Sequence, residues 1–130
     1  MLRFHLSVHS NVPAYVQVVQ QVRQALLSGA LRPGEQLPTV KAVVMELAIN
    51  PNTVLKAYRE LEREGLVAGR QGVGTFALRR PDGPPPGVQA ALGRSLARWV
   101  AKAREAGLDE TDMESLLHAT VRACVHGATA

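Results

Sequence analysis

The 130-residue sequence has a single cysteine, Cys124. No disulfide can close within the chain, and a thiolate zinc site would have to draw its other ligands from elsewhere. A lone free cysteine is expected to serve as a small buried hydrophobe. His5 and His9 fall on or beside one extended segment, and Cys124 and His126 near the C-terminus. With no fourth ligand clustered beside them, no metal and no cofactor is expected. No run approaches the roughly 20 consecutive apolar residues of a membrane span. The opening "MLRFHLSVHS" lacks the long apolar region of a signal peptide. A cytoplasmic protein without a membrane partner is therefore expected. No nucleophile stands in a recognisable pairing with a base, which argues against an enzyme.

Acidic residues are also scarce in one part of the chain. Residues 1–80 carry ten Lys/Arg against five Glu, whereas residues 81–130 carry five Lys/Arg against six Asp/Glu. The overall charge of +4 thus belongs to the first part, the better candidate for meeting a polyanion. The length suits one domain, or a small domain with an appended element. An apolar fraction of 46% against 20% charged describes a folded chain.

The clearest boundary is "RRPDGPPPG", Arg79 to Gly87, where four prolines and two glycines exclude helix and central strand alike. Before it, Phe4, Leu6 and Val8 alternate with polar residues and predict a strand. Pro13 suits a first helical position, and Tyr15, Val19, Val22 and Leu26 follow at helical spacing until Gly29. "LRPGEQLP" reads as a turn. Thr39 can cap a short second helix whose inner side is Val40, Val43, Val44 and Leu47. Two residues later Asn50 caps a third helix, with Pro51 at its first position and Gly65 at its left-handed end. "LVAGRQGVGTFAL" then reads as two strands joined by a tight turn near Gln71 and Gly72.

The predicted architecture is mainly α with a small β-wing. A winged helix-turn-helix domain occupies residues 1–80, a Pro/Gly linker 81–87 and a two-helix dimerisation segment 88–130. A ligand-free α+β domain would explain the apolar spacing equally well, but not the third helix. There Val54, Ala57, Tyr58 and Leu61 form a docking side, while Asn52, Thr53, Lys56, Arg59 and Arg63 lie on the other faces. In helix-turn-helix docking the N-terminal residues of the second helix reach base edges. Asn offers the donor and acceptor that match adenine, Thr can meet several bases, and Lys suits a phosphate. Asn50 is foremost a cap. Lys41 stands near the start of the second helix, where a phosphate would also find free N–H groups. The hairpin tip, Arg70, Gln71, Gly72, Val73 and Gly74, can approach the sugar-phosphate edge closely through its glycines. "GRQGVG" lacks the Gly-Lys-Ser/Thr ending and the following helix of a nucleotide loop.

"VPAYVQVVQQVRQALLSGALRPGEQLPTVKAV" followed by "INPNTVLKAYRELEREGLVAGRQGVGTF" resembles the GntR superfamily of bacterial transcriptional regulators. The short tail points to its YtrA-like subfamily. The resemblance covers residues 3–78. It implies a winged-helix repressor that binds an inverted-repeat operator on double-stranded DNA as a homodimer and controls a transporter operon. Carried over by position, the family's DNA contacts fall on Lys41, Asn50, Asn52, Thr53 and Lys56, and on Arg70, Gln71, Gly72, Val73 and Gly74 of the wing. The family usually has arginine where Lys41 stands, followed by glutamate where this chain has Ala42. Thr39 thus lacks a reciprocal capping partner, and lysine cannot reproduce a bidentate guanine contact. Val73 replaces a basic or small polar residue of the wing.

In the tail, Leu92, Leu96, Trp99 and Ala103 recur at helical spacing, and Asp109 is a plausible cap for a helix bearing Met113, Leu116, Leu117 and Val121. Two such helices cannot bury their stripes alone. A second copy of the chain, or its own winged domain, must cover them, and two-fold pairing would place two recognition helices roughly 34 Å or a multiple apart. The tail is too short to enclose a small-molecule pocket of about 300 Å3 beside a dimer core. An effector, whose identity the sequence leaves unknown, would have to bind between subunits or at the winged domain. The alternative function is a winged-helix adaptor that uses its third helix for protein contacts.

Overall fold

A computed structural model describes residues 2–7 and 10–127, so Val8 and His9 lie outside the described residues. The chain divides into two compact units, residues 1–89 and residues 90–130. The first unit runs α1 (Ala14–Ser28), α2 (Val40–Leu47), α3 (Pro51–Arg63), β1 (Val67–Arg70) and β2 (Gly74–Ala77). α3 packs on both α1 and α2 and leads directly into β1. Val18, Val22 and Leu26 of α1, Val43 of α2, and Val54 and Leu61 of α3 are almost fully buried, joined by Leu37, Leu66 and Val67. Each such side chain contributes roughly 1.5–3 kcal/mol through removal from water.

Local sequence chemistry accounts for the helix boundaries. Pro13 stands one residue before α1, in extended conformation, rather than at its first helical position. The Thr39 hydroxyl accepts from the Ala42 N–H at 3.1 Å. α2 ends at Ala48, whose φ of +54° turns the chain sharply into α3. Asn50 Oδ1 accepts from the Asn52 N–H at 2.8 Å, and Pro51 occupies the first helical position. At the other end, Gly65 takes φ +76°, its N–H bonding Glu62 O and that of Leu66 bonding Leu61 O, each at 3.0 Å. This glycine-dependent closure satisfies carbonyls that the end of a helix would otherwise leave open.

The strand expected around Phe4 is not formed among the described residues. The segment is extended, as its alternation implies, and Phe4 is buried. Its partner, however, is a row of side chains. The Phe4 N–H donates to Glu46 Oε1 (2.7 Å), the His5 N–H to Gln21 Oε1 (3.1 Å) and the Ser7 N–H to Gln17 Oε1 (2.8 Å), while Gln21 Nε2 returns a bond to His5 O (2.7 Å). Gln17 and Gln21 lie one turn apart on α1, so their amides replace a neighbouring strand.

The stretch read as a simple turn, residues 31–38, does more than reverse the chain. Gly34 N–H donates to Ala77 O (2.7 Å), Ala77 N–H to Glu35 O (2.8 Å) and Leu37 N–H to Thr75 O (2.8 Å), so Gln36 bridges Phe76 and covers one edge of β2. The other edge pairs antiparallel with β1, from Val67 opposite Ala77 to Arg70 opposite Gly74.

Beyond the wing, Arg80 donates to Leu27 O through Nε (3.2 Å) and Nη2 (2.9 Å), and Pro81 is buried. Helix is admitted in the Pro/Gly stretch because Pro86 opens α4 (Pro86–Glu105), where its missing N–H is not required. In the second unit Gly107, at φ +98°, closes α4, and Asp109 caps α5 (Glu110–Val125) in a reciprocal pair with Asp112. Ala103 is buried and Trp99 and Met113 are half-buried, but Leu92, Leu96, Leu116, Leu117 and Val121 are between 40% and 59% exposed. Cys124, expected to be buried, is exposed, on a helix none of whose residues is buried among the described residues. Among the described residues no helix is long and apolar enough to cross a membrane, and no group of metal-ligating side chains forms.

Candidate nucleic-acid interface

α3 presents a buried and an exposed face on one cylinder. Val54, Ala57, Tyr58 and Leu61 are buried, so the faces bearing Asn52, Lys56 and Arg59 are left in solvent, with Thr53 half-buried between them. The Tyr58 hydroxyl donates to Pro38 O at 2.6 Å and pins α3 to the segment that enters α2. Burial of this phenol pushes its pKa well above the usual tyrosine value.

The polar groups differ in how far they are committed. The Asn50 side-chain oxygen is occupied by its capping bond, whereas Asn52 makes no side-chain hydrogen bond among the described residues and is exposed. Lys41 is exposed in the first turn of α2, a helix whose first turn carries no acid. Toward the far end of α3 the three glutamates are engaged. Glu60 is held by Arg63 at 2.6 Å, Glu64 pairs with Arg23, and Glu62 Oε2 accepts weakly from the Gly69 N–H at 3.5 Å. The exposed cations Lys56 and Arg59 have no carboxylate within 4.0 Å among the described residues. The beginning and middle of α3 thus carry uncompensated positive charge beside amide and hydroxyl groups.

The wing tip has exposed Arg70, Gln71, Gly72 and Val73. The Val73 N–H bonds Arg70 O at 3.0 Å, with Gly72 at φ +75° inside this turn. Arg70 lies over the Phe76 ring, 5.2 Å from its centroid. Thr39 lines the same shallow depression as Gly69, Arg70, Gln71, Gly72, Val73, Gly74 and Thr75, so the wing and the start of α2 share one surface.

Two residues important to this geometry were not singled out by motif reasoning. Tyr15, placed by its helical spacing with Val19, Val22 and Leu26, is half-buried with its ring beneath the Lys56 ammonium, 4.2 Å from Nζ to centroid. Gln36, within a supposed turn, donates to Val73 O at 3.1 Å. For Gln36 the sequence offers no signal, because its role depends on a residue 37 positions away. A cavity of about 560 Å3 lies between the N-terminal segment and α2, lined by Leu2, Phe4, Leu37, Val43 and Glu46. The groove of the second unit, floored by Leu96, Trp99, Met113 and Leu117, measures about 230 Å3.

Two helices joined by a sharp turn, an exposed polar start to the second of them and an adjoining hairpin define a winged helix-turn-helix protein. Residues 14–77 match the family of bacterial regulatory proteins, gntR family. The chain is 36% identical over 114 residues to the HTH-type transcriptional regulator Rv1152 of Mycobacterium tuberculosis, covering 87% of this chain and 90% of that one. It is 45% identical over 67 residues to the HTH-type transcriptional repressor YtrA of Bacillus subtilis, a match spanning about half of each chain (52%). Among solved structures it resembles the AraR DNA-binding domain in complex with operator ORX1, with a TM-score of 0.52 and 25% identity over 58% of this chain and 95% of that one. The chain therefore belongs to the GntR family of bacterial transcriptional regulators, and within it is YtrA-like. Its relatives are transcription regulators and not enzymes.

Proposed function

We propose that this regulator is a repressor that binds an inverted-repeat operator as a homodimer in the cytoplasm and controls a transporter operon. The observation that carries the proposal is the division of α3, whose Val54, Tyr58 and Leu61 are buried while Asn52 and Lys56 remain exposed at its start. Asn52 and Thr53 read bases, Lys41 and Lys56 meet phosphates, Asn50 orients the helix start, and residues 70–74 follow the sugar-phosphate edge. The repressor and operator readings are supported by the relative named as a repressor and by the operator complex of the AraR domain. Residues 1–80 form the DNA-binding domain, residues 81–87 the linker and residues 88–130 the dimerisation segment. The apolar residues that the tail leaves exposed, Leu92, Leu96, Leu116, Leu117 and Val121, support a second copy as their cover.

The test begins with duplexes selected by the protein from a random library. Recovered sequences should be palindromic, with half-sites roughly 34 Å or a multiple apart, and binding should fall steeply with salt. Equal weak binding to every duplex would overturn the reading and favour a protein-binding adaptor. Sedimentation should show a dimer that Leu117→Asp converts to monomer. Transcript profiling of a deletion strain should show raised expression of a transporter operon; lowered expression would refute repression.

A further inference from the structure

Lys56 has a carboxylate at hand on its own helix. Glu60 lies four positions on, a spacing at which oppositely charged side chains can meet on a helix surface. That pair does not form. Both Glu60 oxygens accept from Arg63 Nη2 at 2.6 Å. The Lys56 ammonium instead lies over the Tyr15 ring from the start of α1, 4.2 Å from its centroid. Tyr15 is half-buried and packs against the core, so the ring is itself anchored, whereas Lys56 is exposed.

The two kinds of partner have different consequences for DNA. A carboxylate would neutralise the ammonium and would have to be displaced before a phosphate could take its place. A neutral ring attracts the cation through its quadrupole, leaves the full charge in place, and restricts a flexible four-carbon stem. We propose that Tyr15 is a positioning residue for DNA binding, its ring holding Lys56 at a fixed place on the interface while the Arg63–Glu60 pair occupies the competing carboxylate. The proposal rests on the reading of Lys56 as a phosphate contact. Ordering a lysine on binding costs rotamer freedom, and a ring that has already restricted the chain reduces that loss.

The experiment uses the full chain and a duplex it has selected from a random library. Affinity is measured across a salt series for the parent, Tyr15→Leu, Tyr15→Phe, Lys56→Ala and the double variant Tyr15→Leu/Lys56→Ala. Tyr15→Leu should weaken binding roughly two- to fivefold, the range expected for an exposed cation–ring contact. Tyr15→Phe, which keeps the ring, should bind as the parent does. In the Lys56→Ala background, Tyr15→Leu should change nothing. NMR of the free protein should show ring-current-shifted Lys56 side-chain resonances in the parent and Tyr15→Phe but not in Tyr15→Leu, a readout that general loosening of the fold would not imitate. If Lys56→Ala weakens binding but Tyr15→Leu alone does not, the role of Tyr15 is refuted. An equal loss from Tyr15→Leu with and without Lys56 refutes it as well, since the ring would then act on DNA or on the fold directly. If Lys56→Ala leaves affinity and salt slope at parental values, the phosphate reading itself fails.

Discussion

Gln36 Nε2 donates to the carbonyl of Val73 at 3.1 Å, tying the loop before α2 to the tip of the wing. The contact is possible because Gly74 has no side chain. A Cβ built on Gly74 would stand 2.4 Å from Gln36 Nε2, and Gly74 has φ +137°. Gly74→Ala should therefore strain the backbone and displace the strap together, costing about 1–3 kcal/mol in urea denaturation. Gln36→Ala made in addition should relieve the clash but not the backbone strain. A double variant as stable as Gln36→Ala alone would show that the glycine is not needed for its conformation.

Tyr58 contributes a buried ring and one hydrogen bond to Pro38 O. Tyr58→Phe keeps the ring and leaves that carbonyl without its donor, so a loss of about 1 kcal/mol is expected. Thermal unfolding measures it. An unchanged melting temperature would mean that water replaces the phenol without cost.

Asn50 can be separated into cap and contact. Asn50→Ala should lower stability by about 1 kcal/mol through the lost bond to the Asn52 N–H. Asn50→Asp keeps an acceptor in the same place and should retain stability, yet it brings negative charge to the surface proposed to face DNA and should weaken binding to every duplex. If Asn50→Asp destabilised the fold as much as alanine, the capping role would be wrong.

Asn52 and Lys56 should fail in different ways. Asn52→Ala should reduce the ratio of operator to random-duplex affinity, by roughly 1–3 kcal/mol if its paired contact to a base is lost. Lys56→Ala should weaken all duplexes alike and flatten the salt dependence by about one phosphate contact. Parental discrimination by Asn52→Ala would remove Asn52 from the base-reading set.

Much of this architecture was legible along the chain. The caps Thr39, Asn50 and Asp109 and the closing glycines Gly29 and Gly65 act through neighbours a few residues away, so residue type and spacing were enough to place them. The buried side of α3 followed from its 3.6-residue period in the same way. The N-terminal segment was half legible. Alternation of Phe4 and Leu6 implied extended backbone, but hydrogen bonds to Gln17, Gln21 and Glu46 could not be inferred from a period, which is silent about partners.

What the sequence by itself determined was the order and type of the winged-domain helices, the hairpin, the division of α3 into apolar and polar faces, and the resemblance that names its family. These depend on interactions between residues close in the chain, which residue type and spacing encode directly. Only the tertiary structure decided that Gln36 braces the wing, that Glu60 is taken by Arg63, and that Tyr15 lies beneath Lys56. The first and last of these join residues 37 and 41 positions apart, brought together by the packing of the hydrophobic core. The Glu60 pairing is local, but Lys56 stands four residues before Glu60 and Arg63 three after it, and spacing alone left open which of them holds the carboxylate.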